Sequence, residues 1–421
     1  MKLGLLGNPL AHSWSVQIHE YVLQEPCYQL YEVNREMVRE FFETNDLDGF
    51  NVTIPYKQTV MDYMDEIDPA ALRIGAVNTV VHKDGTFYGY NTDCLGFMQM
   101  LEQNNIPVKG NHAAILGSGG ASKAAMEGIR MLGGTFDVVS RNPEDGMISY
   151  EELYENEKRY SLIINATPVG MYPHTEAVPV DLSRFSDLLA VVDIVANPLR
   201  TSLMMRAKEM GIPALGGLEM LVRQAVEADR LYTGNEYPES LVKSCMNELL
   251  KKNRNIVLIG MPTSGKSTVA KLLAERMNKT VIDTDEAFET NVLRKMYRCH
   301  SIRSFIEQYG EDRFREKESE VISALHHTGV IISTGGGVIK REVNMRSLAH
   351  NGIIFWLDRS VEYLYGTPDR PLSTNYEAIC RLYEERKDLY AKYCDVRIEN
   401  NGTPEEAAEK IIQTIEEGIV L

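Results

Sequence analysis

Residues 255–268, Asn255-Ile256-Val257-Leu258-Ile259-Gly260-Met261-Pro262-Thr263-Ser264-Gly265-Lys266-Ser267-Thr268, decide the fold class of this chain. Asn255 to Ile259 read as a buried parallel strand, and Ser267 to Met277 as a helix. Between them Gly260 to Ser267 fit G-x-x-x-x-G-K-[ST]. In that pattern backbone N–H groups wrap a nucleotide's phosphates at a helix N-terminus, the lysine reaches the β and γ oxygens, and the hydroxyl ligates Mg²⁺. Gly260, Met261, Pro262, Thr263, Ser264, Gly265, Lys266, Ser267 and Thr268 are therefore the expected ATP-binding residues, with Lys266 acting in catalysis and Ser267 on the metal. Apolar strand-like runs alternate with amphipathic stretches almost throughout, so the expected class is α/β with mostly parallel sheets.

A different glycine-rich loop lies far upstream, where the apolar run Ala113-Ala114-Ile115-Leu116 enters Gly117-Ser118-Gly119-Gly120-Ala121 and then a helical pattern. Glycines there let the backbone approach a pyrophosphate at a helix N-terminus, the dinucleotide version of the same physics. The third glycine of G-x-G-x-x-G is missing, and a bare strand–turn–helix is the alternative. Thr135 to Ser140 read as the next strand, ending in Arg141-Asn142. An acidic residue at that strand end would bind the ribose 2′-hydroxyl of NAD, whereas an arginine pairs with the 2′-phosphate of NADP. The reading is a Rossmann-like domain for NADP(H), bound by Gly117, Ser118, Gly119, Gly120, Ala121, Ser140, Arg141 and Asn142; an exposed turn arginine is the alternative for Arg141.

At 421 residues the chain has length for about three domains of ~150 residues. Its net charge of −16 disfavours non-specific nucleic-acid binding, which needs a basic face. The six cysteines, 27, 94, 245, 299, 380 and 394, show no C-x-x-C spacing, which points to reduced thiols and against a disulfide frame or zinc site. No run approaches ~18 apolar residues, so no membrane span is expected. The N-terminal apolar run is too brief for a signal peptide, and a cytoplasmic location is expected. Thr233 to Pro238 are turn-rich, a helix is expected from about Glu239 to Lys252, and Lys251 to Arg254 lead straight into the strand at 255 with almost no linker.

Before Gly117 lie four polar clusters: Asn8 to Ser15, Phe50 to Lys57, Ile74 to Thr79, and Tyr90 to Asp93. Each is expected where a strand gives way to a turn, the place where open α/β sheets collect ligand groups. Together they suit a polyhydroxylated small molecule, with hydroxyls and amides for its hydroxyls and a lysine and an aspartate for proton traffic. The segments GNPLAHSWS (7–15), NVTIPYK (51–57), IGAVNTV (74–80), GYNTDCLG (89–96), GSGGASKAA (117–125), NATPVGMYP (165–173) and GGLEMLVRQA (216–225) resemble the successive motifs of the shikimate dehydrogenase family over about residues 1–250. The resemblance implies reduction of 3-dehydroshikimate to shikimate by NADPH. It places Ser13, Ser15, Asn51, Thr53, Asn78, Asp93 and Gln224 around the substrate, with Lys57 catalytic and Asp93 holding its ammonium. Two departures stand out. Asp193-Ile194-Val195-Ala196-Asn197-Pro198 has alanine where the family's D-x-x-Y-x-P has tyrosine, and Val16 and Glu20 replace the proline and asparagine of HSxSPxxHN.

From about Arg254 the chain resembles the shikimate kinase family. Val281-Ile282-Asp283-Thr284-Asp285 are expected to end a strand with both carboxylates facing one way. The resemblance implies Asp283 near Mg²⁺ and Asp285 activating the 3-hydroxyl of shikimate. Gly310 to Glu318 match GExxFRxxE, which implies Arg315 on the substrate carboxylate with Glu318 holding it. Gly335, Gly336 and Gly337 match the family's GGG turn, and Arg386 its second carboxylate-binding arginine, although a helical surface arginine is the alternative there. The lid segment, Tyr363 to Leu372, lacks the family's phosphate-facing arginine, with Arg370 taking the place of the RPL arginine.

The sequence thus reads as three domains: a substrate domain from 1–96 and 221–250, an NADP domain at 97–220, and a P-loop kinase domain with a parallel sheet at 254–421. The expected activity is bifunctional, using NADP(H), ATP and Mg²⁺ on 3-dehydroshikimate and shikimate. The alternative is a shikimate or quinate dehydrogenase with a weak or regulatory nucleotide-binding domain.

Overall fold

The computed structural model describes residues 1–10, 13–297, 299–325, 327–364 and 376–417. Arg370 and most of the lid segment lie outside these. The chain divides into two compact units, Met1–Leu249 and Leu250–Leu421.

The first unit holds two sheets. One contains β1 (Leu3–Gly7), β2 (Tyr28–Glu32), β3 (Gly49–Val52), β4 (Glu66–Ile67), β5 (Thr79–Lys83) and β6 (Thr86–Tyr90), in the order β2-β1-β3-β5-β6-β4. β1 pairs parallel with β2 and β3, whereas β5 runs antiparallel to β3 and β6. Asp84 and Gly85 both take positive φ between β5 and β6, the primed turn whose twist suits a two-residue hairpin. The second sheet contains β7 (His112–Leu116), β8 (Thr135–Val139), β9 (Met147–Ile148), β10 (Leu162–Asn165), β11 (Ala190–Asp193) and β12 (Ala214–Gly216). Its order is β12-β11-β10-β7-β8-β9 and every pairing is parallel. This is the doubly wound dinucleotide order, with its switch point between β7 and β10. Both faces are buried: Ala113, Ile115, Ile164 and Val192 pack on one side, and Ala114, Leu116, Ile163 and Val191 on the other. That two-sided burial is why these strands read as continuous apolar runs.

The second unit has one parallel sheet of β13 (Asn255–Ile259), β14 (Val281–Asp283), β15 (Ile331–Ser333), β16 (Gly352–Asp358) and β17 (Val396–Glu399), ordered β14-β15-β13-β16-β17. Val257, Ile259, Ile354 and Trp356 face one core, and Ile256, Leu258, Ile353 and Phe355 the other. The phosphate loop leaves the central strand β13 and enters the helix Lys266–Met277.

Two local expectations need correction. Ile74 to Thr79 run from the end of the helix Pro69–Ile74 into β5, not from a strand into a turn. Asp283 and Asp285 do not share a strand face: β14 stops at Asp283, which caps the helix Thr284–Phe288 by accepting from Asp285 N at 3.0 Å, and Asp285 lies in that helix's first turn. A free carboxylate at a strand end satisfies the unpaired N–H groups of a helix start, so the helix begins there.

Candidate active sites

In the first unit Lys57 Nζ donates to Asp93 Oδ2 at 2.7 Å, and both side chains are mostly buried. Asp93 stands in the first turn of the helix Thr92–Gln103, capped by Asn91, whose Oδ1 accepts from Cys94 N at 3.2 Å. Lys57 is held from behind, because its carbonyl accepts Val77 N at 2.8 Å. Burial pushes the thiol of Cys94, beside Asp93, up to about 12.

An amide and hydroxyl network surrounds this pair. Thr92 N donates to Asn78 Oδ1 at 2.7 Å, and Asn78 Nδ2 donates to Thr92 Oγ1 at 3.1 Å and to Gln224 Oε1 at 3.4 Å. Asn51 Nδ2 donates to Thr79 Oγ1 at 3.1 Å, and Asn51 Oδ1 accepts from Tyr28 Oη at 2.8 Å. The contact with Gln224 depends on a close helix crossing: a Cβ on Gly96 would lie 2.7 Å from Gln224 N. The structure therefore brings Asn51, Asn78 and Gln224 into one network, around the helix start that carries Asp93. Ser13 and Ser15 bond to each other at 3.0 Å, and Thr53 N donates to Leu6 O at 2.9 Å; among the described residues none of these three joins the network through a direct side-chain hydrogen bond. Thr79 and Thr92 sit inside the quoted motifs, yet composition did not single them out. Tyr28 had no local signal at all.

The dinucleotide loop follows β7. Gly117 takes φ +100 and its N–H donates to Val139 O at 2.8 Å, which turns the chain at the strand end. Gly119 caps the helix Gly120–Met131 with no side-chain bond to its first turn, leaving those N–H groups for a ligand. Side chains at Gly119 or Gly120 would meet nothing within 4 Å, so the loop face is open, and Ser118 is exposed there with Ala121 half-buried behind it. Ser140 Oγ closes the turn past β8 by donating to Asn142 O at 3.0 Å, and Arg141 is exposed. These groups fit a dinucleotide with a 2′-phosphate. Nearby, Asn165 Nδ2, Val195 N and Thr201 Oγ1 all donate to Asp193, tying the segments after β10 and β11 together. Burial pushes the Asp193 carboxyl up to about 6. Ala196 lies in the segment so held.

In the second unit Gly260 and Gly265 take positive φ, as does Thr263. Ser264 is buried and Asn400 Nδ2 donates to its carbonyl at 2.5 Å, bracing the loop from β17. Lys266 Nζ donates to Gly260 O at 3.0 Å and Met261 O at 2.8 Å. Ser267 Oγ donates to Asp283 Oδ2 at 3.0 Å and lies 3.2 Å from Ser333 Oγ, an oxygen set that fits a hard divalent cation; Thr268 follows, exposed, in the helix. Ser333 was the oxygen that sequence reading passed over.

The three glycines after β15 each clear one neighbour. A Cβ on Gly335 would lie 2.7 Å from Asp285 Oδ1, on Gly336 2.8 Å from the Pro262 ring, and on Gly337 it would fall on the Arg315 guanidinium. Arg315 Nη1 donates to Glu318 Oε2 at 2.9 Å and Nη2 to Glu311 Oε1 at 3.2 Å, while burial pushes the Glu318 carboxyl up. Arg386 is buried, not a surface arginine, and Nη1 donates to Gly336 O at 2.9 Å. Its Nε and Nη2, one edge of the guanidinium, are buried without a partner among the described residues. Tyr390 Oη donates to the same carbonyl at 2.6 Å.

Residues 5–80 match the family described as the shikimate dehydrogenase substrate binding domain, and residues 262–416 match shikimate kinase. The chain is similar to the shikimate dehydrogenase (NADP(+)) of Bacillus cereus (strain B4264), 37% identical over 254 residues covering 55% of this chain and 92% of that protein. It is 38% identical to the enzyme of that name from Clostridium perfringens (strain 13 / Type A), covering 59% and 98%. Among solved structures, a chorismate mutase/shikimate 5-dehydrogenase fusion protein from Clostridium acetobutylicum is similar at TM-score 0.56 and 35% identity, covering 59% of this chain and 97% of that one. Shikimate 5-dehydrogenase from Thermus thermophilus, in complex with NADP(H) and shikimate, is similar at TM-score 0.54 and 32% identity, covering 59% and 99%.

Proposed function

The chain belongs to the shikimate dehydrogenase family and carries a shikimate kinase domain as well, and on that premise we propose which residues carry the two reactions. It is a bifunctional shikimate-pathway enzyme, an NADP-dependent shikimate dehydrogenase joined to an ATP-dependent shikimate kinase. The substrates assigned to it are 3-dehydroshikimate and shikimate. The domains assigned are 1–96 with 221–250 for substrate, 97–220 for NADP and 254–421 for phosphoryl transfer, a division supported by the membership of the three sheets. A cytoplasmic location is part of the same reading; among the described residues no helix is long and apolar enough to cross a membrane.

The observation that carries the dehydrogenase assignment is the 2.7 Å Lys57–Asp93 pair beside the Asn51–Asn78–Gln224 network. Bound NADPH supplies the hydride, and bound ATP with Mg²⁺ supplies the phosphoryl group and part of its charge neutralisation. Lys57 Nζ is assigned the proton that ends on the ketone oxygen, with Asp93 keeping the ammonium charged and aimed. Asn51, Asn78 and Gln224, with Ser13, Ser15 and Thr53, orient the ring hydroxyls. Gly117 to Ala121 hold the pyrophosphate and Ser140, Arg141 and Asn142 the 2′-phosphate.

In the kinase half Gly260 to Thr268 wrap the phosphates, and Ser267 with Asp283 holds the metal. Asp285 orients the attacking 3-hydroxyl and draws its proton. Arg315, braced by Glu311 and Glu318, and the free edge of Arg386 take the substrate carboxylate. The backbone of Gly335, Gly336 and Gly337 lies against Asp285, Pro262, Arg315 and Arg386.

Two assays on the intact protein test the assignment: NADPH oxidation by 3-dehydroshikimate and shikimate-dependent ADP release. Lys57→Ala is expected to lower the first by about 10²–10⁴-fold and spare the second. Lys266→Ala is expected to abolish the second and spare the first. ADP release no higher in the parent than in Lys266→Ala would leave a dehydrogenase with a degenerate nucleotide-binding domain. A preference for quinate in a substrate panel would point to Ala196.

A further inference from the structure

Behind the substrate wall of the dehydrogenase lies a buried polar cluster that neither reaction uses. His19 Nδ1 and Asp229 Oδ1 are 2.6 Å apart, with side chains 1% and 0% exposed. The imidazole stacks on Tyr28, 4.1 Å between ring centroids and 8° between planes, and Tyr28 Oη donates to Asn51 Oδ1. Four elements meet in this cluster. His19 lies on the helix Ser15–Leu23, Asp229 on the helix Gly217–Thr233, Tyr28 opens β2 and Asn51 lies on β3. Three of them also carry residues assigned to the substrate: Ser15, Gln224 and Asn51.

Stability alone does not account for the cluster. Desolvation offsets most of the attraction in a buried ion pair, so well-packed apolar side chains would serve as well. Among the described residues His19 Nε2, Asp229 Oδ2 and the neighbouring Tyr232 Oη are moreover buried without a hydrogen-bond partner, which costs further free energy. What the cluster supplies is direction. Burial pushes the Tyr28 phenol well above its ordinary range, so the hydroxyl remains a donor. Asn78 O can only accept, so Asn51 Nδ2 faces it and Thr79 Oγ1, and the Tyr28 hydroxyl, by donating to Oδ1 on the other side, holds the amide in that orientation.

We propose that His19, Asp229 and Tyr28 are positioning residues of the dehydrogenase: the His19–Asp229 pair fixes the Tyr28 ring, and Tyr28 holds Asn51 in the orientation in which it meets the substrate hydroxyls. The proposal rests on the assignment of Asn51 to the substrate wall.

The test is steady-state shikimate oxidation by the full chain in Tyr28→Phe, Asn51→Ala, their combination, and the paired variant His19→Phe with Asp229→Leu. Tyr28→Phe removes one hydroxyl and keeps the ring, and is expected to raise the KM for shikimate about tenfold, the worth of one buried hydrogen bond, with the KM for NADP⁺ unchanged. In the Asn51→Ala background the same change is expected to have less than about a twofold effect, because the two residues act in series. The paired variant keeps an aromatic ring against Tyr28 and removes the polar bond, and is expected to reproduce the shikimate-specific rise. Full multiplication of the Tyr28 and Asn51 effects, or equal rises in both KM values, would overturn the proposal while leaving the substrate assignment of Asn51 intact. An Asn51→Ala variant with unchanged KM for shikimate would overturn that assignment, and the proposal with it.

Discussion

Arg141 stands exposed just past β8, on a turn that Ser140 closes, and its reach for a 2′-phosphate is a single charge-assisted contact. Arg141→Ala is expected to raise the KM for NADP⁺ by roughly 10–100-fold, the worth of a hydrogen bond to a charged group, and to leave the rate measured with NAD⁺ unchanged. Equal losses with both cofactors would remove the arginine from the 2′-phosphate site. Asp193 carries a pH prediction. The folded protein holds its proton up to about pH 6, whereas the unfolded chain releases it near 3.8. The folded state therefore binds the extra proton between those values, and this group's contribution falls as pH rises through them, by up to ~3 kcal/mol. Comparing the unfolding midpoint of the dehydrogenase half with that of Asp193→Asn from about pH 4 to pH 7, the parent should lose ground to the variant as pH rises; a constant difference would sink the idea. At this scale the motifs already placed Lys57 with Asp93, Asn78 among the amides and Lys266 in the phosphate loop, and the structure brings each to its partners there. The sequence was silent on Tyr28, an ordinary strand residue by local pattern, and on Ser333, whose hydroxyl matters only because β15 lies beside the phosphate loop.

The turn after β15 shows how one element can define a site through what it leaves out. Its three glycines make room for Asp285, Pro262 and Arg315 in turn, so the backbone forms the floor on which three separate segments converge. In Gly337→Ala the new methyl would occupy the Arg315 guanidinium, which must swing away from Glu311 and Glu318. The expected result is a rise of about tenfold or more in the kinase KM for shikimate, with the KM for ATP held within about twofold. A variant that loses both affinities together would mean the whole loop had moved. Element types were readable from apolar period and glycine position, and β8, β13 and the helix Glu239–Asn253 fall where the pattern put them. Element ends were less so. Asp283 stops β14 because its carboxylate is better used capping the next helix, a competition between ladder and cap that alternation in sequence does not reveal.

For the whole molecule, two compact units carrying different ligands should respond to them separately. Differential scanning calorimetry of the full chain is expected to resolve two transitions. NADP⁺ at about 100 times its Kd should stabilise one by ~2.7 kcal/mol, and ATP with Mg²⁺ at a similar excess should do the same for the other. A common shift of both transitions with either ligand would show the units to be thermodynamically one. The sequence by itself determined the two nucleotide loops, the α/β class and the family resemblance, because each rests on contacts within a dozen neighbouring residues and on burial of both sheet faces. Only the tertiary structure decided which polar residues share a site. Asn51 meets Thr79 because β3 and β5 pair, Gln224 meets Asn78 because two helices cross at Gly96, and the guanidinium of Arg386 is buried against Gly336 from a helix 50 residues away. Such meetings depend on register and crossing geometry, which are set by packing between distant segments and leave no mark in any one of them.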